Sequence, residues 1–132
     1  NPGGGWLASD SYVSSILTAA GTDSLSAVNL YPNVDAWRIL DPVGESEFVW
    51  NRYAYVYWVF DDMVREPIFT LLQPDVFQVQ IAPCDQRLSA LGATNIVSTY
   101  ELRGSCLRPV TDVMGPRGVP VTIYTRVPSS SR

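Results

Sequence analysis

Hydrophobic and polar positions alternate most cleanly at Phe77, Val79 and Ile81, with Gln78 and Gln80 between them, which is the period of a half-buried strand. Pro83 and Asp85 then open a short helix over 83–91 that Gly92 closes, and another strand follows over 95–99. Near the start, Ser9 or Asp10 caps a helix in which Tyr12, Val13, Ile16, Leu17 and Ala20 recur at helical spacing until Gly21. A short strand is expected over 27–31. Pro32-Asn33 starts a second helix that turns Val34, Trp37 and Leu40 to the core and stops at Asp41-Pro42. A helical turn over 45–50 leads into 53–60, an aromatic and β-branched run, apolar on both faces, that predicts a central strand covered on two sides. Residues 61–67 predict a polar turn, and 69–72 and 76–81 predict strands separated by a bend at Pro74. Residues 104–118 are loop-rich. A closing strand spans 119–127, with Pro120 near its start as an edge strand tolerates.

These elements predict a single α/β domain in which a mixed sheet of roughly five or six strands packs with three or four short helices. The strands at Phe69 and Val76 are too close for a crossover helix, so part of the sheet is antiparallel or one strand is bent. Residues 1–8 read as a Pro/Gly-rich linker, 9–127 as the domain and 128–132 as a polar serine tail.

Composition narrows the chemistry. At 132 residues and 46% hydrophobic, the chain supports one real core. All nine basic residues are arginine, against thirteen carboxylates and a formal charge of −4. The arginines are scattered, which argues against a nucleic-acid partner, since a phosphate backbone rewards a concentrated basic face. The missing histidine removes the usual general base and the commonest metal ligand, and two cysteines alone make a poor zinc site, so no catalytic residue, metal or cofactor is assigned. No run of about 18 apolar residues crosses a bilayer, and the start lacks the basic and apolar regions of a signal peptide.

Few clusters point to chemistry. Asp61-Asp62 follows the expected strand 53–60, where ligands of α/β sheets gather, although adjacent carboxylates in a turn are usually solvated. A glycosidase-type partner would have to come from Glu47, Glu66 or Asp75. The candidate ligand-binding set is Tyr31, Asn51, Arg52 and Tyr53: an amide, a planar cation and aromatic rings can grip a sugar hydroxyl or a phosphate. The structural alternative makes Trp37 and Trp50 core residues and pairs Arg52 with Asp41 or Glu47. Gly3-Gly4-Gly5 and Gly115-Pro116-Arg117-Gly118 lack the spacing of phosphate loops, and no serine has an evident base.

Two stretches carry a family resemblance. The run from Phe69 to Leu102, with Pro74-Asp75, Phe77, Val79, Leu88, Leu91-Gly92, Ile96 and Ser98, resembles the extracytoplasmic C-terminal domains of bacterial polytopic membrane proteins of the YfhO-like and glycosyltransferase-C-like group. Tyr31-Pro32, Trp37, Leu40-Asp41-Pro42 and Asn51-Arg52-Tyr53-Ala54 extend the likeness. It implies a non-catalytic module on the outer face of the cell membrane, tethered to a parent transmembrane region encoded upstream and assisting the handling of envelope glycans or lipid-linked sugars. The alternatives are a stand-alone carbohydrate-binding module and a carboxylate-based carbohydrate-active enzyme. In an exported domain, Cys84 and Cys106 are expected to form a disulfide if the chain returns between them, the other possibility being two free thiols.

Overall fold

The computed structural model describes residues 5–9, 34–52, 54–114, 118 and 120–127. The helix expected over 10–21, the strand over 27–31, the tail over 128–132, and Tyr31 and Tyr53 lie outside the described residues. Within them the chain is a mixed α/β domain of seven strands in two sheets with three short helices. The strands are β1 (Gly5–Ala8), β2 (Tyr55–Phe60), β3 (Ile68–Gln73), β4 (Val76–Ile81), β5 (Ala93–Ser98), β6 (Leu107–Met114) and β7 (Pro120–Arg126). The helices are α1 (Val34–Leu40), α2 (Glu47–Trp50) and α3 (Gln86–Ala90).

The smaller sheet has the order β2-β4-β3, with β2 parallel and β3 antiparallel to β4. The alternation at Phe77, Val79 and Ile81 belongs to its middle strand, and all three side chains are fully buried. Burying one such side chain contributes about 1.5–3 kcal/mol. Val56, Trp58 and Phe60 of β2 join them from the same face, and Trp37 of α1 packs edge-on against Phe77 at 5.4 Å. The expectation for 53–60 is corrected here. Among the described residues β2 is an edge strand, and its other face carries Tyr57, which is exposed. Tyrosine satisfies the aromatic pattern of a core strand while tolerating water, so the run could not reveal which face was wet.

The larger sheet has the order β1-β5-β7-β6, with β1 parallel to β5 and the remaining pairs antiparallel. β5 is covered on both faces: Ile96 enters the main core while Val97 packs with Ala8 and Val121 in a second cluster. Three further expectations change. Gly5–Ala8, placed within a linker, is a strand whose Leu7 is fully buried, too short a segment to show a period. Residues 107–114, assigned to loop, form β6, an edge strand that is exposed almost throughout and so shows no alternation. Its register slips between Pro109 and Thr111, the irregularity that lets proline stay in a ladder. β7 lies inside its sheet, with Pro120 tolerated as its first residue.

The supersecondary unit from β4 to β5 follows the expectation closely. Asp85 caps α3 by accepting from the Arg87 backbone N–H at 2.8 Å, and Gly92 turns the chain into β5 at φ +85°, a conformation that disfavours side chains. Cys84 and Cys106 are joined in a disulfide. Arg126 of β7 reinforces this corner by donating to the carbonyls of Pro83, Asp85 and Ala93.

Candidate functional site

Parallel strands align their carboxyl ends, where the loops are free to vary and ligands collect. Here Ser9 follows β1, Asp61 and Asp62 follow β2, Pro83 lies just beyond β4, and residues 100–103 lie beyond β5. All of them border one cleft of about 440 Å³, within the ~300–1,000 Å³ typical of small-molecule sites. Three carboxylates, Asp61, Asp62 and Glu101, and one guanidinium, Arg103, line it. Among the described residues no group of three His, Cys, Asp or Glu side chains is placed to hold a metal ion.

The wall formed by residues 98–106 is held rigidly by hydrogen bonds that start from simple sequence features. Ser98 is buried, and its hydroxyl donates to the Tyr100 carbonyl at 2.6 Å and accepts from the Tyr100 N–H at 3.1 Å. Backbone N–H groups alternate sides along a strand, so the Phe60 N–H points away from β4, and it donates to the Tyr100 hydroxyl at 3.0 Å. The Leu102 N–H donates to the buried hydroxyl of Tyr124 at 3.1 Å, and the Thr99 N–H to the Ser9 hydroxyl at 3.0 Å. The disulfide closes the far end of the wall. Gly104 is required beside it, because a Cβ there would lie 2.5 Å from the Cys84 Sγ.

Asp61 faces this wall with one oxygen accepting from the Met63 N–H at 2.9 Å and the other from the Gln80 side-chain amide at 3.0 Å. It therefore shapes its own turn, as expected of a turn carboxylate, and also lines the cleft. Burial raises the pKa of Tyr100 above the ordinary phenol value, the Phe60 N–H opposes this, and the charge of Asp61 adds to the rise. Tyr100 thus remains a neutral phenol at physiological pH.

The described members of the candidate ligand set, Asn51 and Arg52, do not line this cleft. Arg52 directs its guanidinium at backbone carbonyls: Nε donates to Val49 at 2.8 Å, and the terminal nitrogens donate to Pro74 at 2.9 Å and Phe48 at 2.7 Å. It clasps the end of α2 to the β3–β4 turn instead of pairing with Asp41 or Glu47. Asn51 is exposed and donates to Glu47 at 3.5 Å. Trp37 and Trp50 are core residues. The Trp50 indole donates to Asp41, whose carboxyl burial would raise; the bonds from Trp50, Ser46, Glu45 and Gly44 outweigh burial and lower it. Glu66 and Asp75 are exposed, and Glu101 is the carboxylate that shares the cleft with Asp61 and Asp62. Tyr100, Glu101 and Arg103 were missed, although the carboxyl-end rule that singled out Asp61-Asp62 applies equally to the residues after the strand at 95–99.

A family model described as a domain of unknown function, DUF7654, matches residues 1–129, and the chain belongs to that family. No curated protein and no solved structure matches it.

Proposed function

We propose that this chain is a non-catalytic extracytoplasmic module of a multi-spanning bacterial membrane protein, and that its cleft recognises an envelope saccharide, free or carried on a lipid. The observation that carries this reading is the cleft lining, in which carboxylate, guanidinium and hydroxyl groups surround a fixed tyrosine at the carboxyl ends of parallel strands. Sugar hydroxyls both donate and accept, so they match carboxylates and arginine, while the C–H faces of the ring suit an aromatic surface. The disulfide supports an oxidising compartment. The membrane context and the glycan setting rest on the resemblance of Phe69 to Leu102. A non-catalytic role is favoured because both Asp61 oxygens accept structural hydrogen bonds and Tyr100 is held neutral.

The test is titration of the protein with hexoses, their oligomers and undecaprenyl-type lipid-linked sugars, followed by NMR. Shifts at Asp61, Tyr100 and Arg103, reduced about 10-fold in apparent affinity by Arg103→Ala, are expected. A response to the lipid-linked form alone identifies the lipid-borne source. Turnover that disappears in Asp61→Asn would overturn the non-catalytic assignment and favour the carbohydrate-active enzyme. In the full-length protein, a reporter active only outside the cytoplasm should work when fused after this domain; activity of a cytoplasm-only reporter there would refute the location.

A further inference from the structure

A second cavity of about 440 Å³ adjoins the first, beyond the end of β5 and alongside β6 and β7. Tyr100, Glu101 and Leu102 line both, so the wall is a partition between two lobes. Building on the saccharide reading above, we infer that the ligand is an uncharged glycan of at least two rings that crosses this partition over Tyr100.

Three observations carry the inference. First, Tyr100 is 41% exposed although its backbone is gripped by Ser98 and its hydroxyl by the Phe60 N–H. An aromatic ring held at both ends and left open to water between two cavities of mixed lining is a preorganised stacking surface, which binds without the usual cost of ordering a side chain. Second, the far lobe continues the chemistry of the near one. Thr99 and Thr122 supply hydroxyls, and Asp112 is oriented by the Thr122 hydroxyl at 2.7 Å. One sugar ring has no use for polar groups on both sides of a partition, whereas consecutive rings meet each lobe in turn. Third, the charge balance selects against acidic glycans. Asp61, Asp62, Glu101 and Asp112 face the two lobes, and Arg103 is the one cation among their described lining residues. A uronate would meet like charge at each end.

The experiment measures affinities of the full chain for glucose, mannose and N-acetylglucosamine, for their oligomers up to four rings, and for a hyaluronan tetrasaccharide as the acidic probe. Oligomers of at least one series should bind at least 10-fold tighter than their monomer, and the hyaluronan should bind least among the tetrasaccharides. Tyr100→Ala should erase the gain with chain length, whereas Tyr100→Phe, which keeps the ring, should retain most of it. Asp112→Ala should weaken oligomers more than monomers. Equal affinity for monomers and oligomers, or tightest binding of hyaluronan, would overturn the two-lobe inference and leave the saccharide reading standing. If none of these sugars binds, the saccharide reading itself fails and the inference falls with it. Retention of the native circular dichroism spectrum in both Tyr100 variants separates loss of the stacking surface from loss of the fold.

Discussion

The corner at Arg52 and the wall at Tyr100 are built from the same kinds of group and are used in opposite ways. At the corner, a guanidinium of the type that grips sugars and phosphates donates to three backbone carbonyls of its own chain. At the wall, backbone groups and buried hydroxyls take up that structural work, through the Phe60 N–H, the Leu102 N–H, Ser98 and Tyr124, so that an aromatic ring and several carboxylates remain open to a cleft. Residue type therefore does not mark a binding site. What distinguishes the two regions is where each polar group's hydrogen bonds go, which is an accounting that only tertiary contacts settle.

The contrast can be broken most forcefully at the disulfide, which anchors the wall and not the corner. Closing a loop of sequence separation 22 is worth about 3 kcal/mol by the chain-entropy relation, so the Cys84→Ser/Cys106→Ser double variant should lose about that much in urea unfolding, and saccharide affinity should fall with it. A variant of unchanged stability would show that hydrogen bonds alone hold the wall.

At the corner the expected signature is reversed. Arg52→Ala should cost about 2 kcal/mol, because it strips charged donors from three carbonyls, while binding in the cleft stays unchanged. Lost binding with intact stability would return Arg52 to the ligand site. Asp61→Asn sharpens the comparison from the cleft side: it keeps an acceptor for the Met63 N–H, so stability should shift by less than about 1 kcal/mol while saccharide affinity falls about 10-fold, or about 1.4 kcal/mol.

The smallest effect is on pH dependence. The Asp41 carboxyl has a lowered pKa in the folded state, so its contribution is complete above the ordinary aspartate value of about 3.9 and is lost as pH falls through the lower folded value. Asp41→Asn should flatten the acid limb of stability below about pH 4; an unchanged limb would mean that the bonds from Trp50, Ser46 and Glu45 do not favour the ionised form.

Legibility followed local period. The alternation at 76–81, the Asp85 cap, the Gly92 stop, the bend at Pro74 and the helical spacing of Trp37 and Leu40 each express a regularity of a few residues, and each has its counterpart in the fold. β6 and the four-residue β1 escaped for the converse reason. One is wet on both faces, the other is shorter than any period it could display, and both owe their strand geometry to neighbours distant in sequence.

By itself, the sequence determined a mixed α/β core, the starts and stops of α1 and α3, and a chemistry lacking histidine and lysine, because these depend on composition and on neighbours within a few positions. The tertiary structure decided that the strands divide into two sheets, that β5 and not β2 is buried on both faces, and that Cys84 meets Cys106. It also decided that Asp61 and Tyr100, 39 positions apart, border the same cleft. Strand order and cleft geometry arise from pairings between distant segments, whose energies reside in backbone ladders and shared packing that no local pattern encodes.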